Sequence, residues 1–281
     1  MQNGQPSRTA LGAAIQRAAH QTVDGGRIFN DPVARAILGR GAGAMIEAVA
    51  ADPAQRQMRV FMAARSRFAE DGLAVAVSRG VRQVVILGAG LDTFALRNPH
   101  AASGLLVFEV DHPATQAWKR DRLLEANLVA PATLTFAPVD FARQNLAEEL
   151  AAAGFKATHP AFFVWLGVVP YLRREAIAAI LQFISGLPGS EVVFDYTEPL
   201  ENYSAERRVH VAAVAERTAA LGEPWLSYFD PAGIARDLRG YGFEELEDLG
   251  LADIAVRYLG APKTDGAAEA GGHVIRAQRL G

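Results

Sequence analysis

Cysteine is absent from the 281 residues. That removes disulfides, thiolate metal sites and cysteine nucleophiles together, and fits a reducing compartment. Charge of one sign is not in excess: 28 basic residues against 31 acidic leave a net -3, so the pull on a phosphate backbone that marks a nucleic-acid binder is missing. No apolar run approaches the roughly 20 residues needed to cross a bilayer. The opening MQNGQPSRTALGAAIQRAAH is broken by Gly, Gln and Arg where a secretory signal carries a continuous apolar core. Histidine is sparse, and the six at 20, 100, 112, 159, 210 and 273 show no spacing that sets two on one helix face or strand pair, so no metal site is expected. These absences describe a soluble cytoplasmic protein with neither nucleic acid nor membrane as partner. Half of the residues are hydrophobic, enough for one large unit or a core domain with a smaller cap.

Residues 8–50 are Ala-rich with helical spacing, broken at DGGRIFNDP, where Asn30-Asp31-Pro32 reads as a helix start with Pro at its first position. A second helix from Pro53 puts Met58, Phe61, Met62, Phe68 and Ala69 on one face. The 3.6-residue period places Arg65 in that stripe and turns Arg67 about 160° away, so Arg65 is expected to point inward. After residue 80 the rhythm becomes short apolar runs, VRQVVIL, LLVFEV, TLTFAPV, AFFVWLGVV and EVVFDYT, alternating with helical patterns near 114–128, 143–153 and 173–185. Continuous apolar strands alternating with helices predict a doubly wound α/β fold with a mostly parallel sheet. Residues 198–222 are polar and helical, resembling an insertion over the sheet edge, and 230–240 reads as a helix starting at Asp230-Pro231. GFEELEDLG and GGHVIRAQRL form a last strand pair around an Ala/Gly-rich surface loop at 260–272.

VVILGAGLDTFALR, residues 84–97, stops an apolar strand at Gly88-Ala89-Gly90 and restarts as a helix. In an open parallel sheet, ligands bind beyond the carboxyl ends of the strands, where a glycine turn lets backbone N–H groups approach them. The second strand ends in Glu109 and Asp111, about 20 residues on, where nucleotide-binding folds place a carboxylate for ribose hydroxyls. Asp111 also precedes Pro113, so it is either that carboxylate or an N-cap. The third strand ends in Asp140-Phe141, an acid and a ring suited to the amine and the face of an adenine; taken alone, Asp140 reads as another helix cap, and only the coincidence of three strand ends makes a site. A third glycine, which the NAD fingerprint requires, is replaced by Thr93, which disfavours hydride chemistry. An inward Arg65 needs an anion, either a protein acid or the free α-carboxylate of a cofactor such as S-adenosylmethionine.

In order along the chain, TALGAAIQRAAH, FNDPVARAILG, AARSRF, QVVILGAGLDTFALR, FEVDHPATQAWKRDRL, PVDF and GVVPYL resemble the S-adenosylmethionine-dependent methyltransferases of the leucine carboxyl methyltransferase type. The resemblance implies a class I methyltransferase (Rossmann-like) sheet with an antiparallel last strand. It divides the chain into an N-terminal helical cap over 1–80 and a cofactor-binding domain over 81–281, with a lid insertion at about 198–228. It assigns the turn at Gly88 and Gly90 to the methionine part of S-adenosyl-L-methionine, Asp111 to the ribose, and Asp140 and Phe141 to the adenine. Arg65 would hold the donor carboxylate and Arg17 a second basic contact, with His20 the competing match. Where the leucine-specific enzymes carry a Glu this chain has Leu166, so the contact to the donor's amino group is lost or falls to the backbone carbonyls of Trp165 and Leu166. Tyr171 is expected to touch the methyl acceptor, and Tyr203, Arg207, Arg208, Trp225 and Tyr228 either line its pocket or form an ordinary surface. The expected activity is O-methylation of a carboxylate or hydroxyl on a small molecule or peptide. The competing readings are a non-catalytic cofactor-binding module of the same fold and an NAD-dependent oxidoreductase.

Overall fold

The computed structural model describes residues 6–141, 143–263 and 269–280. They fall into two compact units, one ending at Phe155 and the other beginning at Lys156. The helices expected as a cap share the first unit with the first three strands.

In that first unit α1 (Arg8–Val23) opens on Ser7, whose hydroxyl accepts the Ala10 N–H, satisfying one of the donors a helix start leaves bare. Its inner face is built of Ala14, Ala18 and Ala19, small residues that admit α2 (Ala42–Ala50) and α3 (Gln55–Ser78). No α-helix starts at Asp31. The chain makes turns over 32–35 and a single 3-10 turn, Ala36–Leu38, because Gly39 and Gly41 (φ +69° and +86°) take left-handed conformations that end it. Ile37 and Leu38 pack with Ala14, Ala18, Leu91 and Leu123 in one apolar cluster, so α1 shares a core with residues that follow β1 (Gln83–Leu87). Arg65 is only 6 % exposed, as the helical period requires, while Arg67 is exposed and pairs with Asp71 at 2.8 Å.

β1 is buried along its whole length. The short α4 (Phe94–Arg97) follows it, then β2 (Leu106–Asp111), α5 (Pro113–Glu125), β3 (Leu134–Pro138) and α6 (Leu146–Ala152). β2 lies parallel to β1 with Val85 opposite Phe108, and parallel to β3 with Glu109 opposite Phe136.

The second unit begins with β4 (Phe162–Trp165), which shortens the expected run of nine residues to four, and continues with α7 (Arg174–Ser185) and β5 (Glu191–Thr197). α8 (Ala205–Ala220) occupies the polar insertion, and α9 (Pro231–Gly240) is capped by Asp230, which accepts the Gly233 N–H at 2.9 Å. Then come β6 (Glu245–Leu249), α10 (Leu251–Leu259) and β7 (Gly272–Gln278). β4 and β5 are parallel, whereas β7 runs antiparallel to both β5 and β6. α10 fills 251–259, ahead of the expected loop at 260–272, of which residues 264–268 lie outside the described residues. Within the first unit the strands stand in the order β3-β2-β1, and within the second in the order β4-β5-β7-β6. Among the described residues no helix is long and apolar enough to cross a membrane.

Each unit buries charge. In the first, Lys119 of α5 meets Glu109 of β2 at 2.5 Å, both side chains 2 % exposed. Desolvation pushes the Glu109 carboxyl up to about 7, with Lys119 pulling the other way. Removing one partner of such a pair strands the other, at a cost of about 3–5 kcal/mol, whereas replacing both is far milder. Lys119→Met is therefore expected to lower urea stability by about that much at pH 8 and by less at pH 6, where Glu109 protonates. Glu109→Gln with Lys119→Met should recover most of the loss; a double variant as weak as the single one would refute the pairing.

In the second unit His273 of β7 sits between two acids, Nδ1 3.1 Å from Asp248 and Nε2 3.1 Å from Glu198, and stacks on Tyr196 at 4.8 Å. Tyr196 in turn donates to Asp248 at 2.5 Å. Both ring nitrogens facing carboxylate oxygens calls for imidazolium, which alone has two N–H donors. Burial by itself would lower the His273 pKa, and hydrogen bonds and charge from Asp248 and Glu198 overcome it and raise it. A raised histidine pKa adds stability that is complete below the ordinary value of about 6.5 and fades as pH rises through the folded value. The melting temperature is thus expected to fall as pH rises above about 6.5, and His273→Gln to flatten that decline. An unaltered slope in the variant would count against the bridge.

Candidate functional site

Where β1 ends, the chain turns through Gly88 (φ +66°) and Gly90 (φ +48°), backbone conformations that a side chain disfavours. The turn is folded onto the end of β2: the Gly88 and Ala89 N–H groups both donate to the Val110 carbonyl, at 2.8 and 3.1 Å. The Gly90 N–H donates to Asp111 Oδ2 at 2.5 Å. A β-carbon on Gly90 would stand 2.8 Å from the Ala10 Cβ of α1. At this glycine, then, the close neighbour that forbids a side chain is the protein's own first helix.

Asp111 is 8 % exposed, and its second oxygen accepts the His112 N–H at 2.7 Å. The cap of α5 is His112, whose Nδ1 accepts the Ala114 N–H at 3.2 Å while Pro113 takes the first helical position. Of the two readings for Asp111, the cap is therefore set aside. Desolvation raises its pKa, opposed by the Gly90 and His112 N–H groups, and each carboxylate oxygen keeps a lone pair for a further donor. Glu109, two residues earlier on the same face, is held by Lys119. The Val139 N–H donates to the Asp111 carbonyl at 2.8 Å, which sets Asp140 and Phe141 beside Asp111 at the next strand end. Asp140 is not a helix cap either: Asn145 caps α6, and the Asp140 carbonyl instead accepts the Arg143 and Gln144 N–H groups. The structure thus brings Gly88, Gly90, Asp111, Asp140 and Phe141 together along one edge.

Arg17 reaches this edge from α1, its Nη2 donating to the Leu91 carbonyl at 2.5 Å. Its competitor His20 is fully buried and occupied: Nδ1 pairs with Asp24 at 2.9 Å, and Nε2 accepts the Ile28 and Phe29 N–H groups. Arg65 is buried in α3, with its guanidinium carbon 6.0 Å from the Phe61 ring centroid. A group that sequence reasoning missed lies behind the turn. Asp31 accepts the Thr93 hydroxyl at 2.6 Å and neighbours Arg17 and Arg97, and Arg97 forks onto Glu70 of α3 at 2.8 and 2.5 Å. The only signals were the acid in FNDP, read as a helix start, and Thr93 in the place of a glycine.

Trp165, Leu166 and Tyr171 belong to the second unit. Trp165 is fully buried, its ring 6.1 Å from Phe194 and its indole N–H without a partner among the described residues. Leu166 is half-buried and is followed by Gly167 (φ +75°), whose N–H donates to Asp195 at 2.5 Å. Tyr171 is half-buried and ends a 3-10 turn, next to the Pro170 carbonyl that accepts the Leu226 and Ser227 N–H groups. Arg207 is paired with Glu269 at 2.5 Å, and Arg208 donates to the carbonyls of Glu201 and Tyr203, so both are engaged within the chain. Trp225 and Tyr228 meet edge-on at 6.1 Å.

Because Asp111 holds two backbone N–H groups, Asp111→Ala is expected to cost about 1–3 kcal/mol of stability. Amide exchange at Gly90 and His112 should accelerate selectively. Exchange at Gly90 no faster than in the parent protein would show that the carboxylate does not hold the turn.

The family profile described as leucine carboxyl methyltransferase matches residues 10–185. YktD of Bacillus subtilis, whose name places it among S-adenosyl-L-methionine-dependent methyltransferases, is 35 % identical over 279 residues, covering 90 % of this chain and 91 % of that one. A similarly named protein of Mycolicibacterium paratuberculosis is 33 % identical over 244 residues, covering 79 % and 76 %. A crystal structure from Thermobifida fusca described as a methyltransferase superposes with a TM-score of 0.60 at 16 % identity, covering 100 % of this chain and 97 % of that one, a likeness of fold. The chain belongs to the leucine carboxyl methyltransferase family of S-adenosyl-L-methionine-dependent methyltransferases, on a class I methyltransferase sheet.

Proposed function

We propose that this chain transfers the methyl group of S-adenosyl-L-methionine to oxygen, a carboxylate or a hydroxyl, on a small-molecule or peptide acceptor in the cytoplasm. The observation that carries the reading is the row of three strand ends, a bare turn, Asp111 and the Asp140–Phe141 pair, with Arg17 laid across the turn. The residues present suit the donor. Among the described residues Arg17 Nε is buried and makes no hydrogen bond, which leaves a cationic edge for the donor's carboxylate, and Arg65 is a second buried arginine. Asp111 has lone pairs left for ribose hydroxyls. Asp140 suits the exocyclic amine of adenine, and the half-buried Phe141 suits its face.

When bound, the donor supplies a methyl group on a positively charged sulfur that departs as a neutral thioether. The protein's share is to hold an acceptor oxygen in line within about 3–3.5 Å of that carbon and to exclude water. A carboxylate acceptor is already ionised at neutral pH, whereas a phenol with a pKa near 10 calls for a base. The family's own description, naming a carboxyl group, favours oxygen. Leu166, standing where the leucine-specific enzymes are expected to carry Glu, favours an acceptor other than a C-terminal leucine.

The test is methyl transfer from labelled donor to a panel of carboxylic acids, phenols and peptides. Products are expected to be esters, releasing labelled methanol in alkali, or alkali-stable aryl ethers. Exclusive N- or C-methylation would overturn the oxygen assignment, and calorimetry without heat at millimolar S-adenosylhomocysteine would overturn the donor site.

A further inference from the structure

Asp31 has a side chain that is 0 % exposed, yet it caps no α-helix. Oδ2 accepts the Thr93 hydroxyl at 2.6 Å and lies 3.6 Å from Arg17 Nε. Oδ1 accepts the Val33 N–H at 3.1 Å and lies 3.4 Å from Arg97 Nε. Two guanidiniums share this one carboxylate, and they are engaged very differently.

Arg97 is closed on every side. Both of its Nη atoms grip Glu70, its Nε also donates to Thr93 Oγ1 at 3.2 Å, and its guanidinium carbon lies 4.8 Å from the Phe29 ring centroid. That is a structural brace between α4 and α3. Arg17 is not closed. Among the described residues its one side-chain hydrogen bond runs from Nη2 to the Leu91 carbonyl on the glycine turn, and Nε is buried with no hydrogen bond. At 3.6 Å Asp31 is too far for a hydrogen bond to Nε and near enough for strong attraction where water is excluded. Arg17 is thus pinned to the turn at one nitrogen and drawn from behind by a fixed charge, with the remainder of its guanidinium uncommitted.

We infer that Asp31 is a positioning residue: acting through Arg17, it sets the direction in which that guanidinium meets the amino-acid end of the methyl donor. This rests on the donor site proposed above. Thr93 supplies the reference point, because it is two residues beyond Leu91 and its hydroxyl ties the carboxylate to the same segment that Arg17 grips. The acid in FNDP and the threonine that replaces a glycine after the turn thereby acquire a joint role.

Two ligands separate this role from a structural one. S-adenosylhomocysteine carries the amino-acid tail; 5′-methylthioadenosine keeps the adenosine and the sulfur without it. By calorimetry, Asp31→Asn is expected to weaken S-adenosylhomocysteine about tenfold and to leave methylthioadenosine within about twofold. In an Arg17→Ala background the same substitution should leave the ratio of the two affinities unchanged. Equal losses for both ligands, or a further fall in the ratio without Arg17, would overturn the inference. Should Asp31→Asn not fold, Thr93→Val takes its place in the same cycle, where an unshifted ratio is the overturning result. Parent protein that binds neither ligand would instead refute the donor site itself.

Discussion

The site depends on one carboxylate accepting two backbone N–H groups. A turn built of glycines has no side chains with which to hold itself, so its donors must find acceptors in the adjoining strand. Val110 offers its carbonyl to Gly88 and Ala89, and Asp111 offers its side chain to Gly90 and His112. From that point the other parts take their places. β3 is tied in by the Val139 N–H, α5 starts where His112 turns away, and α1 closes on Gly90 through Ala10 and on Leu91 through Arg17. The second unit repeats the device: Gly167, just after β4, donates to Asp195 on the neighbouring β5. In both units an acid near the end of one strand holds the glycine turn that follows its parallel neighbour, which explains why Asp195 is a hydrogen-bonded structural acid.

Buried charge in this protein fixes geometry more than it adds stability. Desolvating two ions costs several kcal/mol each, and their attraction roughly offsets that when every lone pair and proton is used. Glu109 shows the margin: one oxygen bonds Lys119, the other has no partner among the described residues, and burial lifts the pKa to about 7. Glu70 shows the same contest, raised by burial and drawn back by a bidentate Arg97. An apolar pair of similar volume would satisfy packing at either place, but it would not distinguish one register of α3 against α4 from the next, as a fork on a carboxylate does.

The sheet was legible because buried parallel strands leave unbroken apolar runs: VRQVVIL became β1 without its first two residues, and EVVFDYT became β5 as written. The inward turn of Arg65 followed from period alone. What remained hidden depended on partners far along the chain. Asp31 reads as a helix start until Thr93, 62 residues later, is seen to hold it. Asp111 reads as either a ribose carboxylate or a cap, because nothing local reveals that the His112 ring takes the capping task. α10 was overlooked for a different reason: its period is visible in LADIAVRYL, but Ala- and Gly-rich sequence immediately beyond it draws the eye to a loop.

The two units also differ in how firmly their helices are held. α1 and α3 are lined with buried alanines and share a core, whereas α8, of equal length to α1, buries none of its residues and leaves Val209 72 % exposed. α8 is held at its start by Ser204 and by the Arg208 contacts to two carbonyls, and by the exposed Arg207–Glu269 pair. Exposed pairs of that kind contribute little, so local opening of this helix lies at the low end of the free-energy scale. Substitutions along it disturb no core, while substitutions at Gly90 or Ala14 disturb the packing that carries the glycine turn. Physical constraint therefore weighs on the residues around the glycine turn of the first unit and relaxes over 205–220, which makes that segment the place where sequence can diverge while the sheet and its glycine turn stay fixed.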